Sequence, residues 1–280
     1  MTTERNSDKV AVLGAGTMGG GIAAHLANLG FEVYLYDINR SAAQAGLARA
    51  LEARPPHFYS SHLAERVVPL STQDDLERLS EALWVCEAIV EKEEEKRNLY
   101  EKMIPYLSPT GFVSTNTSGL EIARLCAGMD ENFRRRFMGT HFFNPPRYLK
   151  LVELIPSADT DPNVIKEMTL FLEDRVGRRV VRAKDTPGFI ANRYGMWSLF
   201  HAIKTSERLG LSVEAVDEIT GPFLGRPRTG TFRLADLIGL DIMEDIAWNI
   251  YHRCPHDSQR GVLEMSSSMR HLREQGKLGA

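Results

Sequence analysis

Short apolar runs and longer amphipathic stretches alternate along the first two thirds of the chain. The apolar runs, which predict buried strands, occupy residues 9–14, 32–36, 83–90, 111–114, 137–141 and 149–156. Apolar residues recur at helical spacing in several intervening stretches, as in residues 18–29. This alternation predicts an α/β fold built on a parallel sheet. After residue 188 only helical patterning continues, with predicted segments at residues 189–209, 213–220, 234–238, 242–253 and 262–275.

The sequence DTPG at residues 185–188 separates the two patterns. Proline and glycine together favour a turn. We therefore expect two domains, an α/β domain at residues 1–185 and an all-α domain at residues 186–280.

The segment between the second and third predicted strands has helical patterning in two pieces, residues 42–53 and 61–67. Pro55 and Pro56 interrupt the pattern, because proline cannot continue a helix. We expect a helical hairpin inserted into the sheet domain. Such an insertion either adds a function or is a solvated excursion, and the pattern alone leaves both readings open.

Composition limits the classes of function. The 280-residue chain is 43% hydrophobic and 25% charged, which is typical of a soluble globular protein. A net charge of −3 gives no electrostatic reason to expect nucleic acid or an anionic membrane as a partner. Three widely spaced cysteines without a CxxC pair favour a reducing compartment and argue against a disulfide framework or a metal site. The short polar N-terminus and the lack of an apolar run of about 18–20 residues predict a cytoplasmic protein.

A glycine-rich turn follows the first predicted strand. The segment GAGTMG places Gly14, Gly16 and Gly19 in GxGxxG spacing, between an apolar strand and a helix. This arrangement lets the backbone approach a pyrophosphate, which the amides at the helix N-terminus then bind. Asp37 ends the second strand about 20 residues later, where a carboxylate accepts a hydrogen bond from the ribose 2′-hydroxyl of NAD and repels a 2′-phosphate.

The cofactor predicted from this segment is therefore NAD. Arg40 lies close enough to Asp37 to complicate the charge argument against NADP. The predicted cofactor-binding residues of the segment are Gly14, Gly16, Thr17, Met18, Gly19 and Asp37.

Polar side chains also occur where the later strands end. Glu91, Asn116, Ser118 and His141 each follow or close one of the apolar runs. Because the carboxyl ends of parallel strands meet at one edge of a sheet, we expect these groups to converge where the nicotinamide should lie. Asn116 and Ser118 are equally suited to capping the helix that starts near residue 120. Most charges of the run EKEEEKR are expected to form a solvated helix face.

Glu153 lies inside the apolar run at residues 149–156. A carboxylate buried in such a run costs several kcal/mol unless a partner neutralises it or donates hydrogen bonds to it. His141, earlier in the chain, is the obvious partner, because one ring nitrogen can bind the carboxylate while the other faces a substrate. That pairing would hold the ring in one tautomer, as a general base requires. The alternative is a core histidine with a backbone partner and a glutamate that reaches solvent.

Several motifs, in this order and over essentially the whole chain, resemble the L-3-hydroxyacyl-CoA dehydrogenases of fatty-acid β-oxidation: GAGTMGGGIA, EAIVE, NTS, HFFNPP, KLVELI and DTPGFIANR. The resemblance implies a Rossmann-type doubly wound sheet domain followed by an all-α domain. It also implies NAD-dependent oxidation of an L-3-hydroxyacyl-CoA to a 3-ketoacyl-CoA. The catalytic residues that it implies are His141 as base, Glu153 as its orienting carboxylate, and Ser118 and Asn192 as ligands of the substrate oxygen. The further residues assigned to the cofactor site are Glu91, Lys96, Asn116 and Asn144.

The resemblance also bears on partners. It implies an acyl-CoA substrate, contacted through the hairpin, and a homodimer formed by the helical domain. HFFNPPRYLKLVELIP and GPFLGRPRTGTFRLADLIGLD are most similar to a bacterial branch in which the dehydrogenase continues into a hydratase/isomerase-like part. In the family the equivalent of GKLGA at residues 276–280 leads into further helix, so we expect either a fragment or a natural truncation. No metal is expected.

Two other classes of function stay open. The β-hydroxyacid dehydrogenases share the glycine-rich start and a helical C-terminal domain, but they use a catalytic lysine motif that this sequence lacks. A non-enzymatic NAD-binding or structural protein on the same scaffold would have no need of His141, Glu153, Ser118 and Asn192, and their presence argues against it.

Overall fold

The computed structural model describes residues 8–279. Within them the chain forms two compact units, which divide between Asp185 and Thr186. The first unit is built around a sheet, and the second is helical. None of the helices in this part of the chain combines the length and the apolar composition needed to cross a lipid bilayer.

Eight strands in the described part of the first unit form one sheet, in the order β3-β2-β1-β4-β5-β6-β7-β8. The strands are β1 (Lys9–Leu13), β2 (Glu32–Asp37), β3 (Val67–Ser71), β4 (Trp84–Glu87), β5 (Phe112–Thr115), β6 (Phe137–Phe142), β7 (Leu151–Pro156) and β8 (Arg179–Arg182). Neighbouring strands are parallel except β6 and β7, which are antiparallel. The run from β3 to β6 has the strand order of a Rossmann-type fold, so the predicted fold class is confirmed.

Helices connect these strands and cover the sheet. They are α1 (Thr17–Asn28), α2 (Arg40–Glu52), α3 (Glu93–Met103), α4 (Ile122–Cys126), α5 (Glu131–Arg136) and α6 (Pro162–Leu170). Strand residues such as Val12, Leu35 and Trp84 are fully buried, as in a sheet that is covered on both faces. The chain order reverses between β1 and β4, and in open α/β sheets ligands bind at the carboxyl ends of the strands beside such a reversal.

The predicted helical hairpin is found in part, and a strand that the pattern did not predict follows it. Helix α2 forms its first arm, but Ser61–Arg66 is a short 3₁₀ helix and Val67–Ser71 is strand β3, which pairs with β2. Pro69 explains the error, because a proline within an apolar run argues against a strand. It is tolerated here because β3 lies at the edge of the sheet. The connection from β2 to β3 therefore contains α2 and one short 3₁₀ helix, and the strand that follows it belongs to the sheet.

The second unit contains α7 (Ala191–Leu209), α8 (Val213–Thr220), α9 (Phe232–Ile238), α10 (Leu240–Arg253) and α11 (Ser267–Glu274). Helices α7 and α10 supply much of its core, including Phe200, Ile203, Met243, Ala247 and Ile250. The helix predicted for residues 262–275 is shorter than expected and begins at Ser267. A 3₁₀ helix, Arg260–Leu263, comes first, and Ser266 then caps α11 by accepting a hydrogen bond from Met269 N.

Candidate active site

The turn between β1 and α1 has the geometry of a pyrophosphate-binding loop. Gly14 has a φ of +101°, which favours glycine, and a Cβ at this residue would lie 2.6 Å from the carbonyl oxygen of Ala88. A Cβ on Gly19 would lie 1.7 Å from the carbonyl oxygen of Gly14, so α1 approaches β1 this closely only with glycine there. At Gly16 a Cβ would meet no atom within 4 Å, so this side of the turn is open. An open glycine beside the first amides of α1, which lack intrahelical acceptors, fits a dinucleotide.

Asp37 ends β2 beside this turn. Its Oδ2 accepts a hydrogen bond from Ala15 N at 2.8 Å, and its Oδ1 accepts one from Ile38 N at 2.7 Å. The carboxylate is thereby fixed at the strand end, where a ribose hydroxyl can donate to it. Thr17 and Met18 form the start of α1, so their amides belong to its first turn.

Glu87, the last residue of β4, is a candidate that was not among the predicted site residues. It is fully buried, and its carboxylate accepts hydrogen bonds from Ile89 N at 2.7 Å, Lys96 Nζ at 2.6 Å, Tyr100 Oη at 2.5 Å and Thr115 Oγ1 at 2.7 Å. Burial and the Glu87 carboxylate raise the pKa of Tyr100 well above its ordinary value, so the phenol keeps the proton that it donates. A sequence signal was available, because Glu87 interrupts an apolar run as Glu153 does.

Lys96, predicted to lie near the cofactor, is 1% exposed and belongs to the same cluster. Its Nζ donates to Glu87 Oε1 at 2.6 Å and lies 3.5 Å from Glu91 Oε2. The ammonium group is thus neutralised by acids at the end of β4, and a contact between Lys96 and the cofactor stays a prediction.

Glu91 holds the loop that carries Ser118. Its Oε1 accepts hydrogen bonds from Thr117 Oγ1 at 2.5 Å, Ser118 N at 2.9 Å and Gly119 N at 3.2 Å. Since Glu91 also lies near Lys96, three of the predicted site residues come together at the ends of β4 and β5. The capping role considered for this loop is performed by Asp185, whose carboxylate accepts from the amides of Ile122 and Ala123 at the start of α4.

His141 and Glu153 form the predicted pair. They face each other across the antiparallel strands β6 and β7, and His141 Nδ1 lies 2.7 Å from Glu153 Oε2. The two residues are 4% and 1% exposed. Cross-strand neighbours project from the same face of a sheet, which explains how residues that are separate in sequence meet. The predicted contact is confirmed, and the catalytic roles of both residues stay predictions.

Neighbouring side chains fix the segment around His141. Asn116 Oδ1 accepts a hydrogen bond from Phe142 N at 2.9 Å, which ties the end of β5 to the end of β6. The ring of Phe143 packs against the imidazole of His141, with 4.6 Å between the ring centroids. Asn116 therefore acts on the backbone beside His141, and its predicted cofactor contact stays a prediction.

Asn144 faces the glycine turn across a cavity of about 350 Å³. Residues lining this cavity include Gly16, Thr17, Arg49, Arg54, His57 and Asn144. Burial and the charge of Arg147 lower the pKa of His57, which favours a neutral ring. The positive charge at this cavity therefore comes from the two arginines, and cations beside a helix N-terminus suit a ligand that carries phosphate.

Asn192 belongs to the second unit, in the first turn of α7, so its predicted contact with the substrate oxygen stays a prediction. Within residues 8–279, no three side chains of His, Cys, Asp or Glu are grouped so that they could hold a metal ion.

Comparisons with known proteins identify the family. The family model "3-hydroxyacyl-CoA dehydrogenase, NAD binding domain" matches residues 9–186, and "3-hydroxyacyl-CoA dehydrogenase, C-terminal domain" matches residues 188–280. A probable 3-hydroxyacyl-CoA dehydrogenase of Deinococcus radiodurans is 44% identical over 268 residues, which are 93% of this chain and 78% of that protein. One of Bacillus subtilis is 39% identical over 294 residues, 97% of this chain and 37% of that protein. The crystal structure of FadB2 from M. tuberculosis has a TM-score of 0.80 and 30% identity, and the match covers 98% of this chain and 95% of that one.

The sheet and its open glycine turn define a dinucleotide-binding protein of the Rossmann class. Within that class the chain belongs to the 3-hydroxyacyl-CoA dehydrogenase family, with NAD as its cofactor.

Proposed function

We propose that the protein oxidises an L-3-hydroxyacyl-CoA to the 3-ketoacyl-CoA in fatty-acid β-oxidation, with His141 as general base and Glu153 as its orienting carboxylate. The observation that carries the proposal is the buried contact of 2.7 Å between His141 Nδ1 and Glu153 Oε2, at the end of β6. Because Nδ1 is committed to the carboxylate, Nε2 is the ring nitrogen that takes the proton.

The proton and the hydride leave the substrate separately. His141 Nε2 takes the proton of the 3-hydroxyl group while the C3–H bond breaks. Bound NAD would supply the acceptor for the hydride that leaves C3, with NADH as the reduced product. The Glu153 carboxylate then stabilises the protonated imidazole, and their burial strengthens this attraction relative to water.

Ser118 and Asn192 are proposed to bind the oxygen on C3. Ser118 is supported by its place in a loop whose backbone Glu91 holds at the end of β5. The proposed role of Asn192 is supported only by its place in the motif DTPGFIANR. Hydrogen bonds to that oxygen would orient the substrate and stabilise the charge that develops in the transition state.

The coenzyme A part of the substrate is proposed to place phosphate groups near the cavity that Arg49, Arg54 and Asn144 help to line. Both arginines are exposed residues, although Arg49 Nη2 also donates to the carbonyl oxygen of Ala15 at 3.1 Å. Arginine donates paired hydrogen bonds to phosphate oxygens. The NAD pyrophosphate is the competing occupant, because Gly16 and Thr17 line the same cavity.

Partners and location are further parts of the proposal. Exposed apolar side chains on the helical unit, such as Phe223 and Trp248, support a homodimer. Association with a hydratase part is supported by the resemblance to the longer bacterial proteins. A cytoplasmic location is supported by the composition and by the sparse, unpaired cysteines.

The test is NADH formation with a short and a long L-3-hydroxyacyl-CoA, measured beside the corresponding free 3-hydroxyacids. The proposal expects turnover with the thioesters only. Turnover of the free acids would instead indicate a β-hydroxyacid dehydrogenase. NAD binding without turnover of any of these compounds would indicate a non-enzymatic protein.

A further inference from the structure

An arginine lies where it could reverse the cofactor preference. Arg40 is the first residue of α2, shortly after Asp37 at the end of β2. In Rossmann-type domains an acid at the end of this strand selects NAD, and an arginine nearby accommodates the 2′-phosphate of NADP. Asp37 therefore favours NAD, and Arg40 favours NADP. The contacts of the Arg40 side chain determine which of these two preferences prevails.

The guanidinium group of Arg40 is held by Asp75. Its Nε donates to Asp75 Oδ2 at 2.9 Å, and its Nη2 contacts Asp75 Oδ1. This pairing occupies the Nε–Nη2 edge of the guanidinium, which is one of the edges that can bind a phosphate in the same way, and it fixes the direction of the side chain. The Arg40 side chain is 61% exposed and that of Asp75 only 6%, so an accessible cation is bound to a buried anion.

Asp75 is itself fixed to the end of β3. Its Oδ2 accepts a hydrogen bond from Ser71 N at 2.8 Å, and its carbonyl oxygen accepts one from Tyr36 Oη at 3.0 Å. Ser71 is the strand neighbour of Asp37 in the β2–β3 pair. The hydrogen bonds from Arg40 lower the pKa of Asp75, so this carboxylate is charged at neutral pH. Asp75 is thus a rigid anion attached to the end of β3, beside the end of β2 that carries Asp37.

We propose that Asp75 determines cofactor specificity by holding Arg40 away from the position of the adenosine 2′-phosphate. Preference for NAD then depends on two acids. Asp37 acts directly on the ribose, while Asp75 is a positioning residue that acts through Arg40. The inference rests on the dinucleotide binding of the proposed function, and it is independent of the acyl-CoA reaction.

The test compares the full chain with Asp75→Asn, Arg40→Gln and the double variant. The readout is the ratio of the dissociation constants of NADPH and NADH, measured by fluorescence without acyl-CoA. Failure of the dehydrogenase reaction therefore leaves this test intact. Asp75→Asn keeps an oxygen for Ser71 N but loses the charge that holds Arg40. We expect its NADPH/NADH ratio to fall about tenfold, the effect of one charge-assisted hydrogen bond on a binding constant.

The other two variants separate this explanation from a general effect on structure. Arg40→Gln alone should leave the ratio unchanged, because Arg40 does not serve the phosphate in the native protein. In the double variant the NADPH/NADH ratio of dissociation constants should return to its native value, because Arg40 is absent. An unchanged ratio in folded Asp75→Asn overturns the proposal. A ratio in the double variant that is as low as in Asp75→Asn overturns it as well. If Asp75→Asn does not fold, the ratio in Arg40→Gln is the deciding measurement. Binding of NADPH that is tenfold weaker relative to NADH in Arg40→Gln contradicts the proposal.

Discussion

His141 and Glu153 stand directly opposite each other on antiparallel strands, and His141 Nδ1 lies 2.7 Å from Glu153 Oε2. The sheet therefore sets both the distance and the direction of this contact, because register pairs project from the same face. A carboxylate placed this way holds the ring in one orientation before any substrate arrives.

Replacement of this carboxylate should impair turnover without removing the cofactor site. We expect Glu153→Gln to lower kcat by at least about 10- to 100-fold, the loss typical when the carboxylate that orients a metal-binding histidine is removed. NADH binding should be unchanged, because the glycine turn and Asp37 are untouched. A variant with native kcat would show that Glu153 is a structural acid only.

The buried cluster around Glu87 should contribute strongly to stability. Glu87→Gln leaves the Lys96 ammonium buried without its closest anion, a loss that typically costs about 3–5 kcal/mol. Urea denaturation should therefore show a large decrease in the free energy of unfolding.

The matched control is Glu93→Gln, which breaks a more exposed pair with Arg124. That change should cost less than about 1 kcal/mol. Equal effects of the two substitutions would contradict the view that Glu87 anchors the end of β4.

His25 should make stability depend on pH. Burial lowers its pKa from 6.5 to about 4, while Nε2 contacts the carbonyl oxygen of Val176. The unfolded chain therefore binds a proton more readily, and stability falls as the pH drops from 6.5 towards 4. Between pH 7 and pH 5 this one group should account for about 2 kcal/mol.

The variant His25→Gln should lose that part of the pH dependence and still be able to donate to Val176. Urea denaturation at pH 7 and pH 5 measures it, with exposed His62→Gln as the control. An unchanged difference in unfolding free energy between the two pH values would exclude His25 as the source.

Arg54 should serve the nucleotide part of the substrate. We expect Arg54→Ala to raise KM for an acyl-CoA about tenfold, the effect of one lost charge-assisted hydrogen bond. A substrate analogue in which N-acetylcysteamine replaces coenzyme A lacks these phosphates, so its KM should not change. A rise in KM for NAD instead would assign the cavity to the pyrophosphate.

The sequence predicted the features that local pattern encodes. Continuous apolar runs gave the central strands, and the glycine spacing located the cofactor turn. Glu153 was found because an acid in an apolar run needs a partner, and Glu87 could have been found by the same rule. Strand β3 was missed because Pro69 weakens its pattern, and β8 because Arg179–Arg182 lies at the sheet edge with mostly exposed residues.

Other features depend on distant parts of the chain and have no local signal. Asp185 caps α4 although it is separated from Ile122 by 63 residues. The sequence indicated that Arg40 complicates the choice of cofactor. Its hydrogen bonds to Asp75 depend on strand β3, which the pattern did not predict. Contacts of this kind follow from the sheet topology, so they become visible only once the fold is known.

The most direct test of the account is the activity of His141→Gln with an L-3-hydroxyacyl-CoA and NAD. Glutamine is similar in size and cannot act as a base, so the fold and NADH binding should be retained. We expect kcat/KM to fall by about 10²–10⁴-fold, the usual contribution of a positioned general base. Near-native turnover in this variant would contradict the assignment of His141 and the mechanism built on it.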